Sequence, residues 1–325
     1  MRGPDNPFRA VTHVGVPDVS IIVPTYGRPA QLRACLDAIA RLDGERVRLE
    51  VIVVHDGGCD APPVLRASVG DGVPLRLVTQ PHRGPGAARN AGAAVARGRW
   101  LAFIDDDCIP SPTWISALAR ALETHPDRLL GGPVVNGLPD NPFATSTQLI
   151  ATYVTEYYAE RRGSHRFFTT NNLAVSADGF RELGGFDTTI PSATAEDKEF
   201  CDRWRARGYQ MGWVPDAAVH HFHHLSFRRF LRQHYNYGRG LLHFHRMRRK
   251  REGRGLVPEP LTFYWNLLLY PLTERAPGRG WRFVPLLMLS QIATGAGMMK
   301  AVLAERLRRT PAPLPSRKSE DQAGA

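Results

Sequence analysis

Between residues 19 and 109 short apolar runs alternate with amphipathic stretches. Ser20-Ile21-Ile22-Val23, Val51-Ile52-Val53-Val54, Leu75-Arg76-Leu77-Val78 and Trp100-Leu101-Ala102-Phe103-Ile104 have the length and make-up of strands. The first reads as a buried strand, and the last wants both faces covered. Apolar or small residues at Leu32, Cys35, Leu36 and Ile39 recur at helical spacing and predict a helix from Pro29 to about Leu42. A second helix is expected from about Pro85 to Val95. This β-α-β-α rhythm predicts the α/β class, with a largely parallel sheet sandwiched by helices. Past Ser111 the rhythm becomes irregular, as in an α+β extension. Helices are expected over Trp114–Thr124 and Ala195–Arg207, and a strand at Trp213-Val214. The stretch from His221 to Arg254 is strongly basic and is followed by two apolar segments, Leu261 to Leu272 and Phe283 to Met299. The polar, Pro-rich tail from Thr310 is expected to be disordered. The pattern divides the chain into an N-terminal extension (1–18), a main domain (19–225), a basic and apolar helical extension (226–309) and the tail (310–325).

Composition narrows this picture. A chain of 325 residues that is 43% hydrophobic can fill a proper core. Its net charge of +11 points to anionic partners: a nucleotide, a membrane surface or nucleic acid. Lys198, Lys250, Lys300 and Lys318 are the only lysines, so nearly all the positive charge is arginine, the better bidentate partner for phosphate. Cys35, Cys59, Cys108 and Cys201 show no CxxC spacing, so neither a disulfide framework nor a zinc knuckle is implied, and a reducing cytosol fits best. The first eighteen residues lack the apolar core of a signal peptide.

Four sites of chemical interest fall at the C-terminal ends of the four strands, the place where an open α/β sheet puts its ligands. The fourth strand ends in Asp105-Asp106-Asp107. Three crowded carboxylates repel one another, and a hard divalent cation such as Mg²⁺ or Mn²⁺ would relieve that; the other reading is a solvated acidic turn. The first strand runs into Pro24-Thr25-Tyr26-Gly27-Arg28-Pro29, where an aromatic ring suits a nucleobase and Arg28 suits phosphate, or the segment is an ordinary strand-to-helix turn. The second ends in His55-Asp56-Gly57-Gly58, with Asp56 placed to accept from a base N–H or to cap a glycine turn. After the third, Gly84-Pro85-Gly86-Ala87-Ala88-Arg89-Asn90 is neither a dinucleotide fingerprint nor a P-loop, and it brings Arg89 to the same edge. Farther on, Glu196-Asp197 opens a helix, either as a dipole-favoured pair or as a general base with its partner. His220, among His221, His223 and His224, is the imidazole expected to complete a metal site begun by Asp107.

With these residues in order, residues 19 to 225 resemble the family 2 glycosyltransferases of GT-A fold. The matching pieces are Val19 to Arg28, Val53 to Gly57, Gly86 to Gly92, Phe103 to Asp107, Gly184-Gly185-Phe186-Asp187 and Glu196-Asp197. The resemblance implies a GT-A nucleotide-diphospho-sugar transferase fold with a mixed, mostly parallel sheet. It implies a metal-dependent inverting transfer from a nucleotide sugar, a UDP-sugar favoured, to a hydroxyl of a saccharide or lipid-linked acceptor. Pro24, Thr25, Tyr26, Arg28, Asp56, Gly57, Arg89 and Asp106 would line the donor site. Asp105 and Asp107 would form the DxD pair, with Asp107 the direct ligand of Mg²⁺ or Mn²⁺, and Asp197 would be the base. Asn172, Gly185, Phe186 and Asp187 would border the acceptor pocket. His55 and Gly58 depart from the family pattern, which leaves the base contacts open.

Two other functions compete. One is a catalytically idle sugar-nucleotide scaffold at a membrane, against which Glu196-Asp197 counts. The other is nucleic-acid binding through the run Arg228 to Arg254 with its interleaved aromatics. That run reads more simply as a basic amphipathic segment facing anionic lipid. The uncharged Phe283 to Met299 is at the short limit for a span and contains Pro285, so a buried or interfacial helix is expected. The sequence therefore places the protein in the cytoplasm, peripherally at the inner face of the cell membrane, with no nucleic-acid partner.

Overall fold

The computed structural model describes residues 15–43, 47–57, 73–162, 167–189, 194–253, 259–273 and 280–309. Most of the expected N-terminal extension, the whole tail 310–325, Gly58 and Cys59 lie outside the described residues. Strands β1 (Val19–Thr25), β2 (Leu49–Asp56), β3 (Leu75–Gln80) and β4 (Trp100–Phe103) are parallel neighbours in the order β3-β2-β1-β4. The sheet continues through β8 (Leu173–Ser176), β6 (Leu129–Gly131) and β9 (Met211–Trp213), and β8 runs antiparallel to both of its neighbours. A small second sheet joins β5 (Cys108–Pro110), β10 (Val219–His221) and β7 (Val134–Asn136) in that order. This is the mixed, mostly parallel sheet that the resemblance implies.

Side-chain alternation sends each central strand to two cores. Ile21 and Val23 of β1, Val51 and Val53 of β2, and Ala102 of β4 enter one cluster, shared with α1 (Pro29–Ile39) and α3 (Trp114–Thr124). Ile22, Ile52, Val54, Leu101 and Phe103 enter the other, covered by α2 (Pro85–Val95), α5 (Ala177–Glu182) and α6 (Glu196–Ala206). Helix α2 lies close to the sheet because Gly92 has no side chain: a Cβ there would sit 2.6 Å from Ile22 Cγ2 and 3.0 Å from Val54 Cγ2. The central strands β1, β2 and β4 thus have both faces buried, and their parallel register brings their C-terminal ends to one edge.

The long α4 (Pro142–Arg162) and the helices α7 (Phe227–Glu252), α8 (Leu261–Leu269) and α9 (Val284–Arg309) build the extension. Leu149 and Tyr153 of α4, Phe263 and Leu267 of α8, and Phe283 and Leu287 at the start of α9 form a third apolar cluster. Helices α7 and α9 touch through backbone. A Cβ on Gly238 would run into the Thr294 carbonyl oxygen, and one on Gly297 into that of Tyr235.

Candidate functional site

The turn between β4 and β5 gives each carboxylate of the acidic triplet its own environment. Asp105 Oδ1 accepts from Arg89 Nη2 at 2.6 Å. Asp106 is fully buried; its Oδ2 accepts from Thr25 Oγ1 at 2.7 Å and its Oδ1 is 2.7 Å from Arg28 Nη2. Burial raises the Asp106 pKa to about 7 against the opposing pull of Arg28. Asp106 and Thr25, expected at the donor site, are both inside the protein and bonded to each other across the turn. Asp107 Oδ2 accepts from Arg28 Nη1 at 2.6 Å, while Oδ1 is 3.3 Å from His221 Nε2. Burial works against the Asp107 carboxylate, yet His221 and Arg28 outweigh it and hold its pKa below the usual range.

His221, not His220, is the imidazole at this site. Pairing of β10 with β5 sets His221 opposite Cys108, and strand alternation turns His220 to the exposed side. The donor atoms of Asp107, Cys108 and His221 lie within 4.8 Å of one another. His223 stacks on His221 with ring centroids 4.9 Å apart, and burial beside His221 pushes its pKa down to about 4.

Arg89 ties the triplet to the second acidic pair. It is buried on α2, and its Nη1 donates to Glu196 Oε1 at 3.0 Å. Glu196 Oε2 also accepts from the Ala195 backbone at 3.2 Å. Glu196 is therefore a fixed partner. Among the described residues only the Lys198 backbone N–H, at 2.7 Å, donates to the Asp197 carboxylate. Burial and the adjacent Glu196 charge raise the Asp197 pKa to about 6. Asp197 is thus the less restrained of the two, with a basicity close to what proton abstraction near neutrality needs.

On the other side of the crevice, Pro24 is buried in β1 and Tyr26 projects from its end. The Tyr26 ring stacks on His82, with centroids 4.2 Å apart and 24° between planes. Gly57 makes room for it: its φ is +134°, and a Cβ would sit 2.8 Å from Tyr26 Cε2. Asp56, expected to contact the base, is buried and bonded within the protein. Its carboxylate accepts from Gln80 Nε2 at 2.7 Å and from the backbone N–H groups of Arg83 and Gly84 at 2.8 Å each, so it shapes the loop carrying His82. His82 had no signal in the sequence, since only this loop brings it to Tyr26.

Two residues expected at the acceptor border, Asn172 and Phe186, are packed inside the protein. The Asn172 side chain is committed internally: Oδ1 accepts from Trp114 Nε1 at 2.9 Å, and Nδ2 donates to the carbonyls of Ala217 (2.8 Å) and Pro133 (3.1 Å). Phe186 is a core ring packed on Phe103, Phe180 and Phe200. Its backbone is clasped on both sides by the Asn90 amide, at 2.8 and 2.9 Å. Gly185 adopts a left-handed φ of +70° to enter this arrangement. Asp187 Oδ1 accepts from the Thr189 backbone at 2.8 Å, which leaves Asp187 as the half-exposed member of that loop.

Residues 20–184 match the sequence model of a family described as Glycosyl transferase family 2. Among curated proteins, Glycosyltransferase AglE of Haloferax volcanii is 25% identical over 209 residues, 63% of this chain and 67% of that protein. Validoxylamine A glucosyltransferase of Streptomyces hygroscopicus subsp. jinggangensis is 27% identical over 265 residues, 69% of this chain and 62% of that protein. The chain thus spans about two thirds of the length of the curated relatives it matches. Among solved structures, the mannosyltransferase PcManGT from Pyrobaculum calidifontis, in complex with GDP-Man and Mn²⁺, aligns with a TM-score of 0.54 at 22% identity over 92% of this chain and 82% of that one. At that identity the likeness is one of fold, and the fold is of GT-A type.

Proposed function

Because the chain belongs to glycosyl transferase family 2, we propose that this crevice transfers a sugar from a nucleotide-diphospho-sugar to a hydroxyl of a saccharide or lipid-linked acceptor, with inversion and with Mg²⁺ or Mn²⁺ as cofactor. A UDP-sugar is the first donor to test. Residues 19–225 form the transferase domain and 226–309 its extension, which works at the inner face of the membrane.

One observation carries this reading. In a protein of net charge +11, five carboxylates (Asp105, Asp106, Asp107, Glu196, Asp197) gather around two guanidiniums, Arg28 and Arg89. Such a site repels a bare diphosphate and attracts one that arrives with a cation. The residues fit a divalent ion: Asp107 is held ionised, and its Oδ1, which accepts a long hydrogen bond from Cys108 Sγ at 3.9 Å, shares one small space with the His221 imidazole, and this pair is a mixed oxygen and nitrogen set that Mn²⁺ accepts. Asp107 and His221 would hold the ion, which when bound neutralises charge on the departing diphosphate.

The remaining work belongs to this chain's side chains. The Arg28 guanidinium, partly exposed at the head of α1, meets phosphate oxygens and the charge that grows on them. The stacked Tyr26 and His82 rings offer a flat face to a nucleobase. Arg89 fixes Glu196, and Glu196 with the helix start fixes the direction of Asp197. Asp197 takes the acceptor hydroxyl proton as that oxygen attacks the anomeric carbon from the face opposite the diphosphate. Inversion follows from a single displacement.

The test is a melting screen of nucleoside diphosphates and their sugars with and without Mn²⁺, followed by turnover. Asp107→Ala is expected to lose both metal-dependent stabilisation and transfer, and Asp197→Ala to lose transfer while keeping donor binding. Full turnover by Asp197→Ala would overturn the base assignment.

A further inference from the structure

Helices α8 and α9 turn one side into the third apolar cluster and leave the other side open, and the open side is apolar. Leu261 is 86% exposed, Trp265 63%, Trp281 69% and Ile292 65%, and Met299 and Leu303 continue the line. On α9, Met288, Ile292, Met299 and Leu303 recur at three to four residues or their multiples, so they form one stripe of the helix. A soluble surface rarely carries so continuous an apolar face without a partner.

We propose that this face is seated in the interfacial layer of an anionic lipid bilayer, as a monotopic anchor that does not cross it. Three observations choose this occupant. Tryptophans at positions 265 and 281, with Tyr264 half-exposed beside them, are the side chains that prefer the boundary between headgroups and hydrocarbon. The adjoining helix α7 carries nine cationic side chains against the single acid Glu252; Arg246, Arg248 and Arg251 pair with acids of this chain, and the other six, which form no ion pair among the described residues, complement anionic headgroups and would be a poor surface for a second copy of themselves. The other side of α9 is already occupied. From Gly280 to Glu305 the segment is long and apolar enough for a span, with a mean hydropathy of 1.4 in its most apolar window. A span would nevertheless have to strip Gly297 from Tyr235, Thr294 from Gly238, and Phe283 and Leu287 from their cluster. It would also have to place the cation-rich α7 against lipid or discard it. An anchor lying in the interface keeps all of these contacts.

The anchor also places the crevice. Gly240 of α7 lies against Thr194, three residues before Asp197. One helix therefore separates α9 from the carboxylate pair, about 10 Å at ordinary helix spacing. Resting on the glycosyl-transfer reading, this favours an acceptor presented by the lipid itself over one diffusing freely in solution.

The experiment is flotation of the full chain with vesicles of phosphatidylcholine and phosphatidylglycerol. The parent protein is expected to float, more weakly at high salt but still measurably. A triple variant, Trp265→Glu, Ile292→Glu and Met299→Glu, is expected to lose vesicle partitioning by about tenfold or more, because buried apolar area dominates interfacial affinity. Its circular-dichroism melt should match the parent. Should the triple variant melt early, quenching of tryptophan emission by brominated lipid, reduced in Trp265→Phe and in Trp281→Phe, reads the same contact without added charge. Unchanged flotation of a well-folded triple variant would overturn the proposal. So would a parent that ignores vesicles and sediments as a dimer that the triple variant dissociates. Neither result depends on turnover, so the anchor and the glycosyl-transfer reading fail separately.

Discussion

Arg89→Met tests the centre of the site. Arg89 is buried and makes two charged hydrogen bonds, 2.6 Å to Asp105 and 3.0 Å to Glu196, that tie the β4 edge to the start of α6. Methionine fills most of the same volume, so the change removes the charge and leaves the packing against Phe186 largely in place. It strands two carboxylates, of which Glu196 keeps only the Ala195 N–H. Removing one partner of a buried pair costs roughly 3–5 kcal/mol. The Asp105 side chain is about one quarter exposed and recovers some hydration, so the low end applies, about 3 kcal/mol. At about 2–4 °C per kcal/mol this is a drop of about 6–12 °C in Tm, read by differential scanning calorimetry at pH 7. Arg89→Lys should fall between, because it keeps the charge and loses the fork. The triple variant Arg89→Met, Asp105→Asn, Glu196→Gln should recover most of the loss, since neutral partners no longer need the guanidinium. An Arg89→Met protein melting within about 2 °C of the parent, or a triple variant no better than the single one, would refute the assignment of Arg89 as the ionic tie.

Three further outcomes follow from the same geometry. Transfer should rise with pH through about 6, where Asp197 loses its proton; because burial raises this pKa in the folded chain, ionising Asp197 costs native stability, so between about pH 4 and pH 6 the parent should lose stability relative to Asp197→Asn, read by urea unfolding of both across that range. Asn172→Ala should cost about 2–4 kcal/mol in urea unfolding, because Trp114 Nε1 and the buried Ala217 carbonyl lose their partner together and the Pro133 carbonyl is left with the Val219 N–H alone; a loss under about 1 kcal/mol would return Asn172 to the crevice wall. Gly92→Val should cost about 1–3 kcal/mol through contact with Ile22 and Val54, measured by the same unfolding and accompanied by weaker donor binding as α2 and Arg89 are pushed outward.

The sheet was legible in the sequence wherever the physics was local. β1, β2 and β4 are continuous apolar runs because both their faces are buried, and Pro29 and Pro85 mark helix starts that the structure reproduces, as it does the span Trp114–Thr124. What could not be read depends on distant partners. β5, β6, β7 and β10 are three residues each, too short for a period to register. The long α4 has almost no amphipathic stripe, because Leu149 and Tyr153 face α8 while other sides of the helix meet α7 and α9. At the site, residue types pointed to strand ends that the structure brings together, but not to the hydrogen bonds made there. That Asp56 is a loop organiser, Asn172 a staple and His221 the imaged partner of Asp107 depends on hydrogen bonds from residues 24 to 114 positions away.

Helix α6 is not free to adjust on its own. Its first turn holds Glu196, Asp197 and Glu199, which the helix dipole favours, but Glu199 and, farther along, Asp202 are buried and need cations. Arg203 supplies one from within α6, at 2.8 Å from Glu199 Oε2, and also donates to the carbonyls of Leu183 and Gly185 in the glycine loop. Arg251 of α7 supplies another, reaching Glu199 at 3.2 Å and bonding Asp202. Since a buried charge without its partner is costly, α6 cannot shift relative to α7 without breaking this network. Helix α7 is in turn locked to α9 where glycines let the backbones touch. Asp197, the basic helix and the apolar face therefore move as one piece, so on the proposed readings an anchored α9 would also fix the direction in which Asp197 points.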